Sequence, residues 1–257
     1  MEYKIALSTD IGIKKETNQD SCCVKEAATE KGNILLVVLC DGMGGLSKGE
    51  VASATLIKIF SDWFEGDLPK LLAEDAGLSE IQYQWDRIIK EQNQNIAAYG
   101  KTLKLQLGTT ITAMMVLEDG KYIIGHVGDS RAYKITNEEI VVLTDDQTVV
   151  AREIKLGRMT PEEAEKDPRR NVLLQCVGAS RIVEPEYYYG NVEGNQCYML
   201  CSDGFRHVIT ADEIKQKFSP EMNPDEKTMA SNIEELIELN KFRHETDNIT
   251  SVLIKAI

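Results

Sequence analysis

The 257-residue chain is long enough for one large domain or two small ones with a substantial core. Its 42 acidic residues against 29 basic ones give a net charge of −13, which argues against nucleic acid or an anionic membrane surface as a partner. No stretch approaches the roughly 20 apolar residues of a membrane span, and the N-terminus lacks the apolar region of a signal peptide. We therefore expect a cytoplasmic protein that binds neither nucleic acid nor membranes.

The N-terminal part of the chain predicts three strands, at residues 3–9, 21–28 and 34–40. The third is a continuous apolar run, which is typical of a buried strand, and it leads into Asp41-Gly42-Met43-Gly44-Gly45. A carboxylate at the end of such a strand is rigidly held, and the glycine beside it lets backbone and ligands approach closely. Asp41 is therefore a candidate site residue.

Two amphipathic helices are predicted next in the chain. Apolar residues lie on one side of residues 50–64, and they recur on one helical face of residues 81–103, with Ser79 as the N-cap of this second helix. We interpret both apolar faces as core packing rather than as binding surfaces.

The second half of the chain is rich in predicted strands and has a few helices. Strands, most of them in hairpins, are predicted at residues 110–117, 122–127, 132–135, 140–143 and 251–257. Capping boxes predict helices after Thr160 and Thr210, and a longer helix is predicted at residues 225–239. Many strands around a few amphipathic helices imply a layered α+β domain in which sheets pack together with helices outside.

A second aspartate, Asp203, also follows an apolar run, residues 198–202, and precedes Gly204. Two such strand ends from distant parts of a chain are the way in which a fold builds a site for a hard divalent cation. The alternative is that each aspartate merely begins a turn.

The six cysteines are expected to be free thiols. Cys40, Cys197 and Cys201 lie in or beside apolar runs, where thiols act as small hydrophobes, and Cys22 and Cys23 are adjacent. The paired spacings of a zinc site are absent. Neither Cys22 nor Cys23 lies in a Cys-x5-Arg phosphate loop, so we reject a cysteine phosphatase.

Six short strings, in order along the chain, resemble the motifs of the metal-dependent type 2C protein phosphatases, the PPM family, in its bacterial form. They are residues 10–20, 41–45, 107–110, 127–131, 202–204 and 247–250. The resemblance implies a four-layer α-β-β-α sandwich of two antiparallel sheets flanked by helices. It also implies a single domain, residues 1–257, with a flap subdomain at about residues 145–172.

The resemblance further assigns a metal site for two ions of Mg²⁺ or Mn²⁺, with a third ion as an option. Asp41 would bridge the two cations, and the Gly42 carbonyl would bind the second. Asp203 and Asp247 would complete the ligands of the first metal, and Asp20 would orient or accept from metal-bound water. Oxygen ligands of this kind suit Mg²⁺ or Mn²⁺ and disfavour zinc.

Three further positions carry weaker assignments. Lys15 aligns with the phosphate-binding arginine of the family, although lysine offers a mobile point charge instead of a planar fork. Asp129 inherits the third-metal position, and the alternative is a turn in which Asp129 or Arg131 makes a local ion pair. Met43 stands where many eukaryotic relatives carry a histidine thought to act as general acid, so the leaving group would be protonated by water.

Several other residues receive no chemical role. Four are assigned to the framework around the site: Thr109, Thr110, Ser130 and Arg131. The three histidines, His126, His207 and His244, are interpreted as isolated and are given no catalytic role.

The implied function is hydrolysis of phosphoserine and phosphothreonine in proteins by a water that bridges two divalent metals, without a phosphoenzyme. Phosphorylated proteins, among them a serine/threonine kinase, are the expected partners, and a monomer is expected. Two alternatives remain: a phosphatase of a phosphorylated regulator of the anti-anti-sigma type, and a pseudophosphatase that binds partners without catalysis.

Overall fold

The computed structural model describes residues 1–43 and 48–257, and this part of the chain forms two antiparallel sheets of five strands each. The first sheet has the order β1 (Tyr3–Asp10), β10 (Ile249–Ala256), β9 (Cys197–Cys201), β6 (Arg131–Ile135) and β7 (Ile140–Val142). The second has the order β2 (Ser21–Thr29), β3 (Gly32–Cys40), β4 (Ile111–Val116), β5 (Lys121–Val127) and β8 (Glu186–Asn191).

Helices cover the outer face of each sheet. The helices are α1 (Gly49–Gly66), α2 (Leu68–Ala73), α3 (Leu78–Leu103), α4 (Val149–Lys155), α5 (Pro161–Ala164), α6 (Asp203–Arg206), α7 (Ala211–Phe218) and α8 (Glu226–Phe242), with a 3₁₀ turn at Pro220–Met222. One apolar cluster joins α1, α2 and α3 to the second sheet, and another joins α6, α7 and α8 to the first. A third lies between the sheets, so the predicted four-layer α-β-β-α sandwich is confirmed.

Strand β3 shows why its sequence is apolar without interruption. Ile34, Leu36 and Val38 belong to the cluster with the helices, whereas Leu35 and Val37 belong to the cluster between the sheets. Because successive side chains of a strand point to opposite faces, a strand in an inner layer is buried on both. The same burial continues to Cys40 and delivers Asp41 to the edge of the sandwich.

Most of the predicted elements are present, including both capping boxes. The Thr160 and Thr210 hydroxyls accept hydrogen bonds from the backbone N–H groups of Glu163 and Glu213. The Ser79 prediction was wrong: Gly77 is the N-cap of α3, and the Ser79 hydroxyl donates to the Glu80 carboxylate instead.

The short helices α2, α4 and α6 and the edge strand β8 were not predicted. Strand β8 consists largely of tyrosines that are partly exposed, so it lacks the alternation that marks a half-buried strand. The prediction of free thiols is confirmed for all six cysteines. No helix within residues 1–43 and 48–257 has the length and apolar character needed to cross a membrane.

Candidate active site

The backbone of Asp41 is fixed by the start of the neighbouring strand β4. Asp41 N–H donates to the Thr110 hydroxyl at 2.9 Å, and the Asp41 carbonyl accepts from both Thr110 N–H and the Thr109 hydroxyl, also at 2.9 Å. The Thr110 hydroxyl lies 2.9 Å from that of Ser130. These contacts support the framework role assigned to the threonines and to Ser130.

Gly42 lies where no side chain fits. A Cβ on this residue would be 2.5 Å from the Gln19 carbonyl oxygen and 2.6 Å from the Gly49 backbone. Gly42 N–H donates to that same Gln19 carbonyl at 3.1 Å, and Met43 N–H donates to the Gly108 carbonyl. As the sequence predicted, the glycine after the strand-end carboxylate allows neighbouring backbone to approach closely. The predicted Gly44 and Gly45 part of the motif lies outside the described residues.

Asp203 and Asp247 come together although they are distant in sequence. Asp203 is the first residue of α6, directly after β9, and Asp247 stands just before β10. A Cβ on Gly204 would lie 2.2 Å from the Asn248 carbonyl oxygen and 3.2 Å from the Asp247 Cβ. Only glycine permits this approach, which places the two aspartates beside each other.

Asn248 joins the N-terminal loop to this strand end, a role that was not predicted. Its side-chain oxygen accepts from Gln19 N–H at 3.0 Å, and its amide donates to the carbonyls of Ile11 at 3.0 Å and Thr17 at 3.3 Å. The loop that carries Asp20 is thereby held against the start of β10. No local sequence pattern announces such contacts, because they link opposite ends of the chain.

The side chains of Asp20 and Lys15 lie near the aspartates of the other motifs. The Thr250 hydroxyl donates to Asp20 Oδ2 at 2.6 Å, and Lys15 Nζ lies 2.6 Å from Asp247 Oδ1. The structure thus brings both residues to the aspartates from the other motifs.

Burial and neighbouring negative charge raise the pKa of three carboxyls, those of Asp41, Asp20 and Asp129. Burial, followed by the charges of Asp20 and Asp203, holds the pKa of Asp41 well above its usual range. Burial raises the pKa of Asp20 to about 7, and the Asp203 and Asp247 charges add to this effect. Burial and the charge of Asp203 raise the pKa of Asp129 to about 7. A group of carboxylates that resists ionisation in this way is stabilised by a bound cation.

The pKa of Asp203 shifts in the opposite direction because the His207 imidazole contacts its carboxylate. Burial alone would raise its pKa, but the hydrogen bond from His207 and the charges of His207 and Arg206 bring it below the ordinary value. His207 Nε2 lies 3.2 Å from Asp203 Oδ2, and Nδ1 lies 3.3 Å from Glu245 Oε2. Burial opposes charge on the imidazole, yet the hydrogen bonds to Asp203 and Glu245 raise its pKa to about 10.

The interpretation of the histidines as isolated was therefore wrong for His207, and it was wrong for His126 as well. Buried His126 lies 3.0 Å from the Thr112 hydroxyl through Nδ1, and its Nε2 lies 3.0 Å from the Gly128 carbonyl oxygen. Both sets of partners depend on tertiary packing that a single sequence does not reveal. His244 is exposed.

The Asp129 loop rests on a network of two arginines and Asp146. Arg131 makes two hydrogen bonds to the Asp146 carboxylate, at 2.7 and 2.8 Å. Arg206 donates to the Asp129 carbonyl at 2.8 Å and to Asp146 Oδ2 at 3.2 Å. The local ion pair that was considered for this turn is present, and it belongs to Arg131.

The donor set fits divalent cations through oxygens that the protein leaves free. Within residues 1–43 and 48–257, Asp20 Oδ1 and Asp203 Oδ1 are buried without a hydrogen-bond partner. The same residues contain no group of three or more His, Cys, Asp or Glu side chains arranged to hold a metal as they stand. One oxygen of Asp247 is instead paired with Lys15. Hard cations accept backbone carbonyls and waters beside carboxylates, so a site of few protein ligands is compatible with the residues present.

Comparison with known proteins agrees with this arrangement. The Protein phosphatase 2C family model matches residues 13–239. The serine/threonine phosphatase stp of Listeria monocytogenes serotype 4b (strain F2365) is 30% identical over 249 residues, which are 96% of this chain and 93% of that protein. The solved serine/threonine phosphatase of S. agalactiae superposes with a TM-score of 0.85 at 31% identity, over 100% of both chains.

A further solved relative is the catalytic domain of the serine threonine protein phosphatase PstP in complex with two manganese ions. It is 28% identical, with a TM-score of 0.76 over 98% of this chain and 97% of the other. The chain belongs to the protein phosphatase 2C family. It is a phosphoprotein phosphatase of the serine/threonine type.

Proposed function

We propose that this protein hydrolyses phosphoserine and phosphothreonine in proteins with two bound divalent cations, Mg²⁺ or Mn²⁺. Asp41 and the Gly42 carbonyl, together with Asp203 and Asp247, are the proposed protein ligands. The observation that carries the proposal is the meeting of aspartates from separate motifs. The pKa values of Asp41 and Asp20 are raised, and one buried oxygen each of Asp20 and Asp203 has no hydrogen-bond partner within residues 1–43 and 48–257. The manganese-bound PstP relative supports it.

Each residue has a task that follows from its position. Two cations held by these residues would lower the pKa of a water to give a nucleophile near neutral pH and would neutralise the phosphoryl oxygens. Asp41 has two oxygens, enough to hold both ions. Asp20, fixed through Oδ2 by Thr250, would hold or receive the proton of the attacking water through Oδ1.

Lys15 is proposed to bind the substrate phosphate. Its ammonium lies at the site in contact with Asp247, and its side chain is about a quarter exposed, at 27%. A lysine on a flexible stem can exchange this carboxylate for a phosphate oxygen as a point charge. Asp129 is proposed as a ligand of a third, weaker ion, because its carboxyl is buried and its pKa is raised, although the charge of Arg206 opposes this rise in pKa.

Residues 145–172 are proposed to be a flap subdomain of the single domain 1–257. Val149 N–H donates to the Val172 carbonyl, and Leu174 N–H donates to the Gln147 carbonyl, so the two ends of the segment are joined. Between them, the side chains of Arg152, Arg158 and Arg170 are exposed. We expect this segment to contact phosphoprotein substrates.

We also predict a serine/threonine kinase as a partner, a monomeric state and a cytoplasmic location. A pseudophosphatase is not favoured, because every aspartate assigned to the metal ligands is present and the named relatives are phosphatases. A substrate of the anti-anti-sigma type has no observation in its favour.

The direct test is hydrolysis of phosphoserine, phosphothreonine and phosphotyrosine peptides with and without Mn²⁺. We expect Mn²⁺-dependent release of phosphate from the first two and loss of this activity in Asp41→Asn. Asp62→Asn is the matched control, since Asp62 is exposed on α1 and pairs only with Lys58 among the described residues. Equal hydrolysis in the presence of a chelator would reject the proposal.

A further inference from the structure

Two proposed metal ligands are connected by side chains that have no assigned function. His207 lies between the carboxylates of Asp203 and Glu245, at 3.2 and 3.3 Å. The second oxygen of Glu245, Oε1, accepts from the backbone N–H groups of Thr246 at 2.7 Å and Asp247 at 2.9 Å. A continuous chain of polar contacts thus runs from the Asp203 carboxylate to the backbone of Asp247.

We propose that His207 and Glu245 form a hydrogen-bonded bridge that fixes Asp203 and Asp247 relative to each other and thereby sets the affinity of the site for a divalent cation. Both are positioning residues, since neither is placed to touch the phosphate or the attacking water. The proposal rests on the proposed function, in which Asp203 and Asp247 bind the same ion. Residues that hydrogen-bond to metal ligands typically affect metal affinity or activity by about 10- to 100-fold.

The orientation of Asp203 is the first argument. Its Oδ2 contacts His207, whereas its Oδ1 is buried without a partner within residues 1–43 and 48–257. A carboxylate that is anchored through one oxygen presents the other in a fixed direction. Helix α6 spans only Asp203–Arg206, so its own hydrogen bonds add little rigidity to the first residue. His207, directly after this helix, supplies the missing constraint.

The burial of Glu245 is the second argument. Its carboxylate is 6% exposed, and an ionised carboxylate this buried requires a cationic or hydrogen-bonding partner. The cations just before it are engaged elsewhere: Lys241 contacts Asp10 and Glu238, and Arg243 contacts Glu213. His207 is therefore the side chain that contacts Oε2 of Glu245, and replacing it would release both ends of the bridge.

The experiment measures Mn²⁺ affinity by calorimetry for wild type, His207→Asn, Glu245→Gln and the double variant. We expect one Mn²⁺ to bind about 10- to 100-fold more weakly in each single variant. The double variant should resemble the weaker single variant, because the two residues act as one unit. Activity against Mn²⁺ should shift to higher concentration to the same extent.

His244→Asn is the matched control, because it makes the same replacement at an exposed neighbouring histidine whose positive φ of 63° asparagine tolerates. A melt of each metal-free variant shows that it is folded. Glu245→Gln keeps the acceptor for Thr246 and Asp247, so it is informative even if His207→Asn does not fold.

Three results would overturn the inference. Wild-type Mn²⁺ affinity in folded bridge variants would assign the bridge to stability alone, and tighter affinity would mean that His207 acts only by repelling the cation. If wild type itself binds no Mn²⁺, the metal site of the proposed function fails, and the inference fails with it. The first two results leave the proposed function intact, so the two failures are distinguishable.

Discussion

At the scale of single residues, the buried carboxylates of Asp20 and Asp203 each have one oxygen held by the protein and one without a hydrogen-bond partner within residues 1–43 and 48–257. In Asp20 the held oxygen contacts Thr250, and in Asp203 it contacts His207. The arrangement combines a fixed orientation with the capacity to bind a cation. Substitutions that keep the shape of these side chains but remove their charge are therefore the most informative.

We predict that Asp41→Asn, Asp203→Asn and Asp247→Asn each reduce activity by about 10²-fold or more while the protein remains folded. The reason is the loss of anionic charge at an electrostatic site without loss of volume. Peptide hydrolysis and calorimetric titration with Mn²⁺ are the measurements. Wild-type turnover and affinity in all three variants would contradict the site assignment.

We predict that Lys15→Arg keeps or improves the apparent affinity for phosphopeptides. An arginine fork binds two phosphate oxygens, whereas lysine acts as a point charge. Steady-state kinetics of Lys15→Arg and Lys15→Ala provide the comparison. If Lys15→Ala has unchanged KM and kcat, Lys15 is a surface charge without a role in phosphate binding.

We predict that Asp129→Ala leaves two tightly bound metals but lowers turnover and shifts its dependence to higher Mn²⁺. Removal of one carboxylate weakens the binding of a cation most where that cation has the fewest other anionic ligands. Activity against Mn²⁺ concentration and a thermal melt are recorded together. A lower melting temperature with an unshifted Mn²⁺ curve would show that Asp129 supports the loop and binds no metal.

At the scale of elements, the pattern of apolar residues was sufficient for strands that are buried on one or both faces. Strand β3 and the capping boxes at Thr160 and Thr210 have local signals, and they were predicted from these signals. Strand β8 has none, because it is an edge strand whose tyrosines are partly exposed. The start of α3 was misplaced, because Gly77 caps it without a side chain.

His126 connects β5 to two loops, and it should make stability depend on pH. The carbonyls of Gly128 and Asp145 lie 3.0 and 3.1 Å from Nε2, so this nitrogen carries the proton and donates. Burial lowers the pKa of His126 in the folded protein, whereas an unfolded histidine titrates near 6.5. Below that pH the unfolded chain binds a proton that the folded chain does not, so stability falls as pH falls.

We predict that, below about pH 6.5, His126 costs wild type up to about 1.4 kcal/mol of unfolding free energy for each pH unit. The His126→Asn variant should lack this contribution to the loss. The measurement is denaturant unfolding of both proteins at pH 7.5 and 5.5. The comparison between the two proteins isolates His126 from other titrating groups. Equal losses in wild type and variant would show that His126 is protonated in the folded state.

At the scale of the whole molecule, the site could be predicted only in part from the residues themselves. Asp41 and Asp203 follow apolar strands and were found by that signal. Asp20 and Asp247 were assigned through the family resemblance, because no strand-end pattern marks them. The bridge from His207 to Glu245 could not be predicted, because it depends on how α6 packs against the start of β10.

We predict that removal of metal with a chelator lowers the melting temperature. A ligand at about 100 times its Kd stabilises the folded state by about 2.7 kcal/mol, or on the order of 5–10 °C for a chain of this size. Asp41→Asn should show a smaller difference and, without metal, should melt above metal-free wild type, because it removes a carboxyl whose pKa is raised by burial and repulsion. Identical wild-type melts with and without Mn²⁺ would contradict this.

The contacts of Asn248 bear on how the protein becomes active during its synthesis. Asn248 holds the N-terminal loop through Gln19, and β1 pairs with β10 from Tyr3 to Asp10. Asp247 and its Asn248 anchor are translated long after Asp20 and Asp41. A nascent chain therefore holds its early aspartates without their partners until β10 has left the ribosome. We expect phosphatase activity to begin only once β10 has paired with β1.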